Sequence, residues 1–283
     1  MPKHRSHSQL STYLSCPKKY DYNYNIKPDI MNTSSALSLG SALHKAQEFN
    51  YKQKIKSHID LPLKEINTFM LEFLIDEFKN NQENPNFFKV LYGKRETPES
   101  IMTKATNLLT ALYNQVIIET QPLFVELPIT LKILGQEIQM YIDLIDSNYC
   151  IRDLKTSASK YGEDALRFNA QLVLYALGYR VKFGKKEKGV GLDVVVKTKE
   201  PSIQKLRGGT IEDNQINKFF IKLDAVNTAI ENKLYPTVDD KMTCDWCAFK
   251  DLCAEDGLPD ASEMLKKLKN IELMPSYPKE DKK

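Results

Sequence analysis

Two carboxylates and one amine lie close together in the middle of the sequence, at a spacing that suits metal chemistry. Asp153 and Lys155 are two residues apart in one apolar stretch, and Asp143 lies in the stretch before it. Because alternate residues of a strand project to the same side, Asp153 and Lys155 share a face while Leu154 points into the core. If the two stretches pair as a hairpin, Asp143 and Asp153 converge beside the ammonium group. Such carboxylates can hold Mg²⁺ or Mn²⁺, which activates water for attack on a phosphodiester.

A D-x-K tripeptide alone is weak support, because the solvated face of a sheet often carries such charges by chance. Three further features favour a site. His44 follows the small residues Gly40 to Ala42 on a predicted helix, where close approach to the sheet would let imidazole add a metal ligand. Gln171 and Tyr175, four residues apart, share one face of the helix after the Asp153 strand. Glu126, on an earlier strand, could supply an outer carboxylate or be an ordinary exposed strand residue.

The hydrophobic periodicity predicts an α/β fold, a mixed central sheet flanked by helices. A short entry helix has Ser8 as its cap and is interrupted at Cys16-Pro17. The later predicted elements are three strands in hairpin order between 123 and 155, a helix over 163–181, strands over 189–197 and 202–206, and a helix over 214–231. The predicted segments are an N-terminal segment (1–35), a helical lobe (36–118), the α/β core (119–235), a cysteine segment (236–260) and a lysine-rich tail (261–283).

Four of the five cysteines suggest a second inorganic site. Cys244, Cys247 and Cys253 form a C-x2-C-x5-C pattern, and Cys16 lies more than two hundred residues earlier. A thiolate quartet can hold zinc or a [4Fe–4S] cluster, and spacing alone does not separate the two. Cys150 lies in a predicted strand and is interpreted as a core residue.

Composition and net charge narrow the class of protein but do not identify its binding partner. The 283 residues carry a net charge of +3, which neither demonstrates nor excludes a polyanionic partner. The sequence contains no secretory signal and no apolar stretch long enough to span a bilayer, so we expect an intracellular, cytoplasmic protein without membrane contact. Basic residues with interleaved aromatics occur over 18–24 and 92–95. They are candidates for contacts with single-stranded DNA, and a solvated helix face and a loop are the alternative for each segment separately.

The motifs together resemble the RecB-like branch of the PD-(D/E)xK nuclease superfamily. They are Ser8 to Tyr13 with Cys16 to Tyr20, Gly40 to His44, Tyr141 to Asp143, Ile151 to Thr156, and Gln171 to Tyr175. The resemblance implies a restriction-endonuclease-like core. It also implies that His44, Asp143, Asp153 and the Leu154 carbonyl bind Mg²⁺ or Mn²⁺, that Lys155 is the catalytic lysine, and that Gln171 and Tyr175 support the site or contact DNA. Asp153 stands where many relatives have Glu.

The cysteine arrangement is similar to that of iron–sulfur nucleases of the superfamily, including AddB-type subunits and the CRISPR-associated adaptation nuclease. On this resemblance, Cys16, Cys244, Cys247 and Cys253 hold a [4Fe–4S] cluster with a structural role, and structural zinc is the alternative. Trp246 and Phe249 would then shield it.

These observations predict a DNA exonuclease that acts on single-stranded ends in recombination, repair or spacer processing, with protein partners from those pathways. The 283 residues contain no phosphate-binding G-x-x-x-x-G-K loop, so we expect no unwinding of duplex by this chain itself. The alternatives are a structure-specific endonuclease and a non-catalytic DNA-binding subunit of a larger complex.

Overall fold

The structure is a computed structural model that describes residues 5–28, 31–83, 88–245 and 247–255. The chain divides into two compact units, Met1–Asp239 and Asp240–Lys283. Trp246 and the lysine-rich tail over 261–283 lie outside the described residues.

The first unit contains both strands and helices. The strands are β1 (Arg5–Ser6), β2 (Met31–Ser34), β3 (Phe88–Leu91), β4 (Pro122–Ile133), β5 (Gln136–Asp146), β6 (Cys150–Ser157), β7 (Gly189–Val196) and β8 (Ser202–Gly208). The helices of this unit are α1 (His7–Ser15), α2 (Pro17–Asp21), α3 (Ser35–Ser57), α4 (Leu63–Glu83), α5 (Pro98–Leu112), α6 (Ala170–Phe183) and α7 (Asp213–Glu231). The second unit contains α8 (Lys241–Asp245) and α9 (Lys250–Glu255).

A mixed sheet forms the centre of the first unit. Within the described residues it has six strands. Strand β4 pairs along one edge of β5, and β1 and β6 pair with different parts of its other edge; β7 and β8 follow β6. The β6–β7 and β1–β5 pairs are parallel, and the β4–β5, β5–β6 and β7–β8 pairs are antiparallel. Every residue of β7 is buried, and its one charged side chain, Asp193, accepts hydrogen bonds from Arg152 and Arg207. The predicted α/β fold with a mixed sheet is confirmed.

Local turn chemistry fixes the three-stranded meander that the sequence predicts between 123 and 155. Leu134 and Gly135 both have positive φ angles, 49° and 80°, as the two central residues of a tight hairpin turn require. At the next turn, Asp146 Oδ1 accepts hydrogen bonds from the backbone N–H groups of Asn148 and Cys150. The two turns therefore join β4, β5 and β6 in consecutive antiparallel order.

Helices cover both faces of the sheet and enclose two separate cores. One core joins residues of α1, α6 and α7 to the sheet, with Tyr179 and Ile142 among its buried members. The other joins α3, α4 and α5 to the opposite face, where Leu43 and Leu154 are buried. The sheet is thus the middle layer of three, with α3 on one face and α6 on the other.

Several predicted boundaries need correction. Ser6, not Ser8, caps α1, because its side chain accepts the hydrogen bond from Gln9 N–H. The helix predicted over 163–181 begins only at Ala170, since Asn169 caps it, and residues 163–165 form a short 3₁₀ turn. The predicted helical lobe also contains a strand: β3 pairs in parallel with β2.

Candidate active site

The pairing of β5 with β6 ends where the two aspartates face each other. Leu144 pairs with Arg152, and one further step in the same antiparallel register brings Asp143 opposite Asp153. The next partner on this edge of β5 is β1, which pairs four and five residues before Asp143. The two carboxylates therefore lie at a gap in the ladder rather than on a continuous sheet face.

Lys155 extends from β6 into this gap beside Asp153. Its Nζ lies 2.7 Å from Asp153 Oδ2 and donates a hydrogen bond of 2.7 Å to Gln171 Oε1. Leu154, between them, is buried in the core on the α3 side of the sheet. The alternation expected from the strand period thus brings the carboxylate and the amine together.

Helix α6 adds a hydrogen-bonded chain that links Lys155 to Asp143. Gln171 Nε2 donates to Tyr175 Oη at 2.7 Å, and Tyr175 Oη donates to Asp143 Oδ1 at 3.0 Å. Burial and the negative charges of Asp143 and Asp153 raise the pKa of Tyr175, so its hydroxyl keeps its proton. The pair that the sequence predicts on one face of this helix therefore reaches both sides of the gap.

Helix α3 brings His44 to the same gap from the other side. Its Nδ1 lies 3.3 Å from Asp143 Oδ2. The helix can approach because Gly40 has no side chain: a β-carbon there would lie 3.2 Å from Thr156 Oγ1 on β6. Burial lowers the pKa of His44, but the hydrogen bond and negative charge of Asp143 outweigh it, and the net shift is upward.

Glu126 enters the site from β4 through a local distortion of the strand. Its neighbours Val125 and Leu127 pair with β5 on either side of Asp143, and its φ angle of 49° is positive. Ligand atoms of His44, Glu126 and Asp143 all lie within 4.8 Å of one another. Burial, followed by the negative charge of Asp143, raises the pKa of Glu126 to about 7. The sequence suggested either an outer carboxylate or an ordinary exposed strand residue here, because a positive φ cannot be inferred from a strand pattern.

The carboxylates themselves fit a cation. Asp153 Oδ1 is buried and has no hydrogen-bond partner among the described residues. Burial and the charge of Asp143 raise the pKa of Asp153. Burial also acts to raise the pKa of Asp143, but the hydrogen bond with His44 outweighs it, and the net shift of the Asp143 pKa is downward. An unsatisfied buried oxygen costs free energy, and a divalent cation would compensate that cost.

A cavity of about 250 Å³ opens beside these residues and is lined by Asp143, Glu126 and Tyr175 together with His7 and Tyr141. Burial and the nearby Lys155 lower the pKa of His7 to about 4, so its imidazole is neutral at pH 7. Sequence reasoning missed His7, because a histidine at the start of an entry helix has no pattern that points to a site.

The sequence model of the PD-(D/E)XK nuclease superfamily matches residues 4–254 of the chain. The chain belongs to this superfamily. Its fold agrees with the restriction-endonuclease-like core of these nucleases, and the superfamily supports nuclease activity on DNA.

Solved structures give a second comparison for the nuclease. It is similar to a "Putative exonuclease" from Eubacterium rectale, with 14% identity, a TM-score of 0.58, and coverage of 91% of this chain and 90% of the other. It also matches the structure of SSO0001 at 13% identity and a TM-score of 0.35, covering 87% and 94% of the two chains. The search of curated proteins gave no match. At these identities the likeness to the Eubacterium rectale protein concerns the fold alone.

The cysteines of the nuclease lie in both units. In the first unit, Cys16 is buried between α1 and α2, and Cys150 is half-buried at the start of β6. In the second unit, Cys244, Cys247 and Cys253 are half-buried. No disulfide forms among the five cysteines, all of which the structure describes.

The predicted DNA contact over residues 18–24 is wrong for Tyr20 and Tyr22. Tyr20 and Tyr22 are buried, and Tyr20 accepts a hydrogen bond of 2.5 Å from Arg5 Nη1. Their rings pack inside the first unit and are not accessible to DNA bases. Among the described helices, none combines the length and apolar character needed to cross a bilayer.

Proposed function

We propose that this nuclease hydrolyses DNA phosphodiesters with Mg²⁺ or Mn²⁺ and degrades single strands from their ends. The observation that carries the proposal is the meeting of Asp143, Asp153 and Lys155 at the gap between β5 and β6. A site of this composition supplies carboxylates for a hard cation and an amine for a charged phosphate.

The proposed cation ligands are His44, Asp143, Asp153 and the Leu154 carbonyl, and we add Glu126. The addition rests on the 4.8 Å limit that encloses the ligand atoms of Glu126, His44 and Asp143. A divalent cation supplies polarisation of the phosphoryl group and lowers the pKa of the attacking water.

The protein's own groups would hold the amine in position. Asp153 and Gln171 fix the Lys155 ammonium from two sides, so it can face a non-bridging phosphate oxygen or orient the attacking water. The Tyr175 hydroxyl keeps its proton and donates it in a hydrogen bond to Asp143 Oδ1. This leaves Asp143 Oδ2 directed toward the side of His44, where a cation would bind.

Two observations support the preference for single-stranded ends. The 283 residues contain no phosphate-binding G-x-x-x-x-G-K loop, so we expect no unwinding of duplex by this chain itself. The Eubacterium rectale fold neighbour also carries exonuclease in its name. Recombination, repair and spacer processing are the pathways in which such an activity would serve, together with protein partners from them.

Cleavage of end-labelled strands tests the proposed activity. Anaerobically purified protein with Mn²⁺ and single strands labelled at the 5′ or the 3′ end is expected to release short labelled products from one end at the earliest times. Covalently closed single-stranded circles should remain intact, because they have no end. Cutting of circles would instead identify an endonuclease, and tight binding without turnover under either metal would identify a non-catalytic subunit.

We also propose that Cys16, Cys244, Cys247 and Cys253 hold a [4Fe–4S] cluster. Three thiols within ten residues, half-buried and without disulfides, support a ligand role over simple packing. The visible absorption of the same anaerobic preparation separates a cluster from zinc, because zinc thiolates are colourless in the visible range.

The binding of Mn²⁺ should strengthen as the pH rises. The pKa of Glu126 is raised to about 7, and those of Asp153 and His44 are also raised. Each group must lose its proton to bind a cation, so protons compete with the metal near pH 6 and much less near pH 8. Calorimetric titration at about pH 6, 7 and 8 is expected to give a dissociation constant that falls by roughly tenfold per proton displaced per pH unit.

Glu126→Gln provides the control, because it removes one of these titrations while keeping the shape of the side chain. This variant should bind Mn²⁺ with a shallower pH dependence. An affinity that stays constant from about pH 6 to about pH 8 in the wild type would contradict the assignment of these groups.

A further inference from the structure

A groove outside the catalytic gap lies between the segment that precedes α6 and the first turns of α7. It has a volume of about 390 Å³, and its lining includes Arg167, Phe168, Ala170, Lys218 and Lys222. None of the carboxylates discussed above lines it. The groove is therefore a surface separate from the candidate metal ligands.

Phe168 gives the groove an exposed aromatic ring. Its 75% exposure is the highest of any aromatic side chain among the described residues. Its backbone is anchored, because its N–H donates to the Asp164 carbonyl at 3.3 Å and the next residue, Asn169, caps α6. The Arg167 guanidinium lies 5.5 Å from the centroid of its ring. An anchored, solvent-facing ring with a cation beside it is a stacking surface for a nucleic acid base.

The opposite wall of the groove is basic. Lys218 and Lys222 lie one turn apart on α7, both are exposed, and neither pairs with a carboxylate of the described residues. Glu212 is the acidic residue of the lining and the N-cap residue of α7, and its backbone N–H donates to Gln215 Oε1. The positive end of the helix dipole at this terminus offsets its negative charge, and the net charge of the wall suits a phosphodiester backbone.

The groove begins where the catalytic residues end. Ala170 lines the groove, and the adjacent Gln171 accepts the hydrogen bond from Lys155 Nζ. Adjacent residues of the first turn of α6 therefore serve the groove and the catalytic gap. A strand with its phosphate at Lys155 could continue over this turn into the groove.

We propose that this groove binds the single strand adjacent to the scissile phosphate, with one base stacked on Phe168 and phosphates beside Lys218 and Lys222. The proposal rests on the proposed nuclease function and deepens it by locating the path of the substrate. A duplex fits this arrangement poorly, because a paired and stacked base cannot present its face to the ring.

Fluorescence anisotropy with a labelled oligothymidine, measured on the full chain in EDTA, tests binding without cleavage. Phe168→Ala should weaken binding about tenfold, within the range for loss of one stacked base, and Phe168→Tyr should retain the affinity. The Lys218→Ala/Lys222→Ala double variant should reduce the slope of log affinity against log salt by about 0.7 per lysine. Lys64→Ala/Lys132→Ala removes the same charge from two exposed positions outside the groove and serves as its control.

A small substrate separates this proposal from the proposed function. Bis(p-nitrophenyl) phosphate needs only the metal site, so Phe168→Ala should cleave it at the wild-type rate while kcat/KM on the oligonucleotide falls about tenfold. A wild-type protein that binds the strand through these residues but cleaves neither substrate would refute the nuclease function and leave the groove in place. Wild-type affinity in both groove variants, or losses no larger than in the Lys64/Lys132 control, would overturn the groove.

Discussion

Replacement of Asp143 by asparagine is expected to lower cleavage by more than about 10³-fold, equivalent to about 4 kcal/mol of transition-state stabilisation. Asp143 is the residue on which the site converges, since it meets His44 at 3.3 Å and the Tyr175 hydroxyl at 3.0 Å and faces Asp153 across the gap. An asparagine keeps the size and one acceptor oxygen but removes the charge that a cation needs. Initial rates on labelled single strands with Mn²⁺ measure the effect.

Thermal unfolding separates a lost cation site from a damaged fold. The asparagine still accepts from Tyr175, and its neutrality removes both the attraction of His44 and the repulsion of Asp153, so the metal-free variant should unfold near the wild-type temperature. Added Mn²⁺ should raise the unfolding temperature of the wild type and leave that of Asp143→Asn unchanged. Asp224→Asn, an exposed position on α7, is the matched control and should respond to Mn²⁺ like the wild type. A variant that keeps full activity would remove Asp143 from the proposed cation site.

Lys155→Ala is expected to reduce kcat by about 10²–10³-fold, the usual effect of removing one preorganised donor at a charged transition state. Its ammonium is held 2.7 Å from both Asp153 Oδ2 and Gln171 Oε1, so its position is fixed before substrate arrives. Since the ammonium competes with a cation for Asp153, the affinity for Mn²⁺ should be retained or increased. Single-turnover rates and calorimetric Mn²⁺ titration measure the two effects separately.

Lys199→Ala, an exposed lysine in the turn between β7 and β8, controls for a general loss of positive charge and should keep wild-type rates. The expected contrast with Asp143→Asn is itself informative: one variant loses the cation, and the other keeps the cation but loses the rate. Equal cutting by Lys155→Ala and the wild type would refute the catalytic assignment of this lysine.

Strand periodicity was sufficient to predict which side chains of β6 share a face. Leu154 is buried, while Asp153 and Lys155 meet on the side of α6, as a two-residue repeat requires. The turn residues between Asp143 and Asp153 likewise predicted the antiparallel pairing that brings these two residues opposite each other. Strand alternation and turn composition depend on residues that are close together in the chain, so a single sequence displays them.

The features that escaped prediction depend on contacts between distant segments. Tyr20 resembled a DNA-stacking residue, but the structure buries it against Arg5 and Tyr235. Glu126 reaches the metal ligands only because its backbone adopts a positive φ. His7 is brought beside Lys155 through the parallel pairing of the two-residue strand β1 with β5, which is too short to leave a periodic signal.

The hydrogen-bonded chain from Lys155 to Asp143 has a fixed polarity. Lysine can only donate, so the amide oxygen of Gln171 must face it, and the amide nitrogen must then donate to Tyr175, which donates to Asp143. The bond dipoles therefore align head to tail, with the positive end of the row directed at Asp143. This neutral bridge transmits part of the lysine's field to a carboxylate on the neighbouring strand, and it favours the ionised form of Asp143 even before a cation arrives.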